Sequence, residues 1–165
     1  MSTTAAGYLE TYLHDHRAGA QAIRELAGRL ADENLATPYE EFLVGLVREI
    51  ERDIELLEEI MDLCGVGRPT LKLVAATVAE RLGRLKPNRE LAGYSPLSRV
   101  LELEVLRAGV EAKLGLWDAL MQIARRDDRL DAGELATCRA RAEAQLERLR
   151  EHHATASREA FAAER

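Results

Sequence analysis

Prolines and glycines divide this chain into four runs of about 27 to 32 residues, with apolar side chains recurring every three or four positions along each. As helices, such runs would each extend roughly 40 Å or more at 1.5 Å per residue. A helix that long with one apolar stripe has to bury it against others, so the feature dictates a helical bundle. Composition agrees. Ala, Leu, Glu and Arg dominate, while two Phe, one Trp and four Tyr leave little material for strands. With 165 residues, 47% hydrophobic and 32% charged, the chain is expected to fold as one domain over 1–165.

The first helix is predicted from about Ala6 to Asp32, broken by Asn34 and Thr37-Pro38. Thr37 reads as an N-cap with Pro38 at the first helical position, so a second helix is expected over 38–64, ended by Gly65-Val66-Gly67. Pro69-Thr70 opens a shorter helix over 70–85. Ser95-Pro96 starts the next, 96–126, and Asp131 caps a last one over 131–161. Loops of roughly five residues join the first helix to the second and the fourth to the fifth, which makes each pair an antiparallel hairpin. Some thirty residues lie between the hairpins, long enough to return along the bundle. The expected topology is therefore up-down-down-up, with the short helix packed outside the four long ones.

Each long helix carries ionisable residues on or beside its apolar stripe. His16 interrupts the first, Asp53 the second with Glu49 at its rim, and Arg107 the fourth with Glu104 and Glu111 along one edge. His153 interrupts the last, flanked by Arg150. Reckoned from the predicted loops, His16 lies level with Asp53 in one hairpin. Arg107 lies level with His153 in the other, and Glu111 with Arg150. Their height predicts a polar layer near mid-bundle, with His16 near Glu104 or Glu111 and Asp53 near His153 or Arg150.

In helix lengths, long crossover and placement of inward polar residues, the chain resembles the ferritin-like four-helix bundles, whose di-metal centres take carboxylates from all four helices and Glu-x-x-His from two. The phrases Tyr94-Ser-Pro-Leu-Ser-Arg99 and Tyr8-Leu9 with His14-Asp-His16-Arg-Ala-Gly19 are similar to a bacterial branch of that superfamily. The motif itself is degenerate. Glu49-Ile-Glu-Arg52 and Glu147-Arg-Leu-Arg150 have arginine at the histidine position, and Arg150 stands where His153 would need its glutamate. Arginine stays charged and cannot ligate a metal. The resemblance thus implies an all-α ferritin-like bundle whose layer His16, Glu49, Asp53, Glu104, Arg107, Glu111, Arg150 and His153 is an ion-pair network without cofactor. The alternative is a single divalent metal, such as iron or manganese, on His16, Asp53, Glu111 and His153.

A net charge of −6 argues against nucleic acid as a partner. No apolar run reaches the roughly 20 residues of a membrane span. The start, MSTTAAGYLE, lacks the parts of a signal peptide, so a cytoplasmic protein with reduced Cys64 and Cys138 is expected. Gly109 and Gly115, with Ala108 and Ala112, give the fourth helix a smooth second face suited to a homodimer. The expected role is interaction or scaffold rather than catalysis.

Overall fold

The computed structural model describes residues 3–67 and 94–162. Among them the regular structure is four α-helices: α1 (Thr3–Glu33), α2 (Glu40–Leu63), α3 (Pro96–Ala124) and α4 (Ala132–Phe161). The short helix expected over 70–85 lies outside the described residues.

Local chemistry sets the helix ends. The Ser95 side chain accepts from Ser98 N–H with Pro96 at the first helical position, and the Asp131 carboxylate accepts from Gly133 and Glu134 N–H. At the end of α2, Val66 N–H donates to Met61 O at 2.9 Å and Gly65 N–H to Asp62 O at 3.1 Å. Gly65 adopts φ +72°, the left-handed conformation this double closure needs. The start of α2 departs from expectation. Thr37 Oγ1 does accept from Tyr39 N–H, at 3.2 Å, but Glu40 N–H bonds Thr37 O. That tighter three-residue turn delays the regular helix from 38 to Glu40.

Ion pairs give the direction of packing. Arg17 meets Glu58 and Arg24 meets Glu51, both at 2.7 Å, so seven residues up α1 match seven down α2. In the second hairpin Arg139 meets Asp118 at 2.7 Å and His153 meets Glu104 at 3.1 Å, again antiparallel. Between hairpins, Tyr12 Oη donates to Gly115 O at 3.4 Å and Ile23 packs on Gly109, so α1 and α3 run oppositely. Phe42 stacks on His152 at 3.9 Å and Arg148 donates to Glu49 at 2.6 Å, so α2 and α4 do too. α2 ends beside the α3–α4 loop, where Arg129 donates to Leu63 O at 2.8 Å. α3 begins at the opposite end, beside the α1–α2 loop.

The apolar stripes form the core. Leu13, Leu30, Leu43, Leu46, Leu57, Met61, Leu103, Leu106, Trp117 and Leu120 are fully buried. Polar groups close one end of the bundle. Asn34, 0% exposed, donates to Leu30 O and to Tyr94 Oη, and accepts from Arg99 Nε at 2.6 Å. Arg99 also pairs with Glu159, which accepts from Tyr39 Oη at 2.9 Å.

Candidate functional site

Asp53 organises the middle of the bundle. It follows Ile50 by three positions and precedes Leu57 by four, so α2 turns it inward, and it is 3% exposed. A carboxylate there needs partners, and both hairpins supply them. Lys113 of α3 donates to Oδ2 at 2.5 Å. Arg141 of α4 brings Nε to Oδ1 at 2.9 Å and a second guanidinium N–H to the same oxygen. Lys113 also donates to Gln145 Oε1, and Gln145 is completely buried. Burial pulls the Lys113 ammonium below the ordinary lysine range, against the charge and hydrogen bond of Asp53, which pull it up.

The predicted layer separates into pieces. Asp53 and His153 have the charged contacts expected of inward groups, though with different partners. His153 is half-buried, its Nε2 3.1 Å from Glu104 Oε1 and its Nδ1 3.5 Å from the Arg107 guanidinium. The level pairing of Arg107 with His153 thus holds, while Asp53 meets neither His153 nor Arg150. Glu49 sits at the rim as expected, bound to Arg148. Three expectations need correction. Glu111 and Arg150 are exposed, Arg150 pairing only with Glu147 one turn back on its own helix, at 3.1 Å. Each stands just beyond the edge of its stripe, where the helix has turned the side chain to solvent. Glu104 is exposed as well and reaches His153 from outside. His16 is half-buried, edge-on to the Tyr12 ring at 4.5 Å.

Lys113, Arg141 and Gln145 were not among the predicted layer, yet their spacing was informative. Lys113 falls between Val110 and Trp117, and Gln145 between Ala142 and Leu149, each at three- and four-residue steps on a buried arc. A lysine with a long stem and an uncharged amide look innocuous on a helix, and only the buried carboxylate opposite makes them a network.

A cavity of about 470 Å³ lies beside this network, walled by α1, α2 and α3. Small residues create it: Gly19 and Ala20 on α1 face Ala108, Gly109 and Ala112 on α3. Gly109, expected on a smooth face for a second copy, is instead spent inside the chain, because an added Cβ would sit 2.5 Å from Ile23. Asp53 and Lys113 border the cavity, as do Tyr12, Asp15, His16 and Trp117.

The Asp53 carboxylate accepts from two cations, one on each helix of the other hairpin. Among the described residues no three His, Cys, Asp or Glu side chains gather in a geometry that would hold a metal ion. Cys138 is buried and Cys64 half-buried at one end of the bundle, both free. Burial raises both thiols, which lowers the share of each present as the nucleophilic thiolate near neutral pH. No family model, curated protein or solved structure matches this chain.

Proposed function

We propose that the chain is a ferritin-like bundle of up-down-down-up topology, with an ion-pair layer where such bundles hold two metals, and that it serves an interaction or scaffold role without catalysis. The observation that carries this reading is Asp53, buried at mid-bundle and saturated by Lys113 and Arg141 rather than by metal-ligating side chains. The opposed directions of α1 and α3, and of α2 and α4, support the topology. In this reading the layer fixes how the hairpins seat on each other, since Asp53 draws one partner from each helix of the other hairpin.

The reading is tested by stability. Asp53→Ala leaves two cations without a counter-charge and should destabilise the protein by about 3 kcal/mol, the scale for breaking a buried pair. Replacing the set together, as Asp53→Leu with Lys113→Met and Arg141→Leu, should cost far less or stabilise. After chelator treatment, Fe²⁺, Mn²⁺ and Zn²⁺ should leave the unfolding temperature unchanged. A metal-induced rise that disappears in Asp53→Ala would overturn the structural role, because only a ligand of the folded state stabilises by mass action.

A further inference from the structure

The two hairpins also meet through a histidine. His152 of α4 lies flat on the Phe42 ring of α2, with centroids 3.9 Å apart and planes 14° from parallel. The Tyr39 ring, at the start of α2, tilts against the same imidazole at 5.6 Å. His152 and Phe42 are half-buried and Tyr39 is 2% exposed. Among the described residues the His152 ring nitrogens make no hydrogen bond, so the contact is one of ring faces alone. Arg148, one turn earlier on α4, stands over the same Phe42 ring at 5.9 Å and is held by Glu49 of α2. Glu151 adjoins His152 on its own helix. From α3, Arg99 faces the Tyr39 ring at 4.5 Å and pairs with Glu159.

We propose that the His152–Phe42 stack is an acid-sensitive joint between the hairpins, which packs α4 on α2 while the imidazole is neutral and loosens when it takes a proton. A neutral imidazole is a flat ring that suits an aromatic face. An imidazolium carries two N–H donors, and no described side chain accepts from either nitrogen here. A ring face does attract a cation, but Phe42 already has the Arg148 guanidinium over it, so the proton would put a second charge on one ring. Burial, with the Arg148 charge adding to it and the Glu151 charge opposing, holds His152 below the ordinary histidine value. Above that value, near 6.5, folded and unfolded chains are both neutral at this ring, and its contribution is complete. As pH falls through 6.5 the unfolded chain binds a proton that the folded chain refuses, so stability falls with acid.

Proton NMR of the full chain reads the joint directly. The chain has four histidines, and the His152 ring signals are those missing from His152→Phe. In the wild type they should titrate below about 6.5, and in Phe42→Ala they should move toward that ordinary value. The nuclear Overhauser contact between the His152 and Phe42 rings should be present at neutral pH. It should be lost once His152 has titrated, with the helical circular dichroism unchanged. His152→Phe keeps a ring on Phe42 and has nothing to protonate. The urea midpoint of the wild type relative to this variant should be constant above about pH 7 and fall from there to about pH 5. A His152 signal that titrates at or above about 6.5 would overturn the proposal. So would a ring contact that outlives the titration, a titration unmoved in Phe42→Ala, or a midpoint difference that stays flat into acid.

Discussion

Gly109 shows how much one missing methyl decides. Its position on α3 would place a Cβ 2.5 Å from both Cγ1 and Cδ1 of Ile23, closer than carbon atoms approach. Gly109→Ala therefore combines overpacking, typically costing about 1–3 kcal/mol, with a helix-propensity gain of up to about 1 kcal/mol. We expect a net loss of about 1 kcal/mol. In an Ile23→Ala background the clash is gone, and the same substitution should stabilise by about 0.5–1 kcal/mol. Urea midpoints of the four proteins would show this reversal of sign, and one common sign would mean the contact does not limit helix approach. Individual side chains were unevenly legible in the sequence. Asp53 stood at the centre of an apolar arc, where only an inward position was open to it. Glu111 and Arg150 stood at arc edges, where a few tens of degrees separate core from solvent. Gln145 and Lys113 were placed on the arc by their spacing, but an amide and a lysine are not recognisable as a network until their partner across the bundle is known.

At the scale of elements, helix ends were read well because capping is local chemistry. Ser95, Asp131 and Gly65 do what their residue types favour. The register of the first hairpin was not legible. Level pairing of His16 with Asp53 assumed a short symmetrical loop, whereas the pairs Arg17–Glu58 and Arg24–Glu51 centre about three residues later. The chain spends those residues on a left-handed Ala36 at φ +58° and the tight turn at Thr37, so His16 and Asp53 lie about six residues, or about 9 Å, out of level. Ala36 and Gly65 occupy the same backbone region with different residues, and this makes paired predictions. Gly65→Ala has open space around it, so only backbone strain opposes it, and it should destabilise by about 1 kcal/mol. Ala36→Gly relieves that strain but frees the unfolded chain, and it should stabilise by about 0.5 kcal/mol. Both should move the urea midpoint at constant slope. A loss of stability in Ala36→Gly would show that the freedom regained by the unfolded chain outweighs the strain relieved, since the backbone N–H bond from position 36 to Glu40 is kept in both proteins.

Across the described residues, the four long helices, the pairing within each hairpin and the core were legible, since each follows from periodicity and loop length. How far one hairpin slides along the other was not, because no short turn joins them and sequence periodicity does not set it. Contacts between the hairpins do so: Asp53 at mid-bundle, and Tyr39, Asn34, Tyr94, Arg99 and Glu159 at one end. The terminal set makes stability depend on pH in a specific window. Burial raises Tyr39 to about 12, helped by its hydrogen bond to Glu159 and the charge of that residue, and burial also raises Tyr94 to about 12. Below the ordinary tyrosine value near 10, folded and unfolded chains both keep these protons, and the contribution is complete. Between about 10 and 12 the unfolded chain releases protons that the folded chain retains, so stability falls as pH rises. Tyr39, 2% exposed, should account for on the order of 2 kcal/mol, and the half-exposed Tyr94 for less. Lys113, lowered by burial, contributes the opposite slope as pH approaches its ordinary 10.5. The raised thiols of Cys64 and Cys138 add a fall that begins near 9. Comparison with Tyr39→Phe removes both, because the variant shares them. Urea midpoints from pH 9 to 12 should show the stability advantage of the wild type over Tyr39→Phe constant below pH 10 and shrinking steadily above it. An advantage that stays flat to pH 12 would mean that Tyr39 ionises as readily folded as unfolded, and that the end of the bundle is open to water.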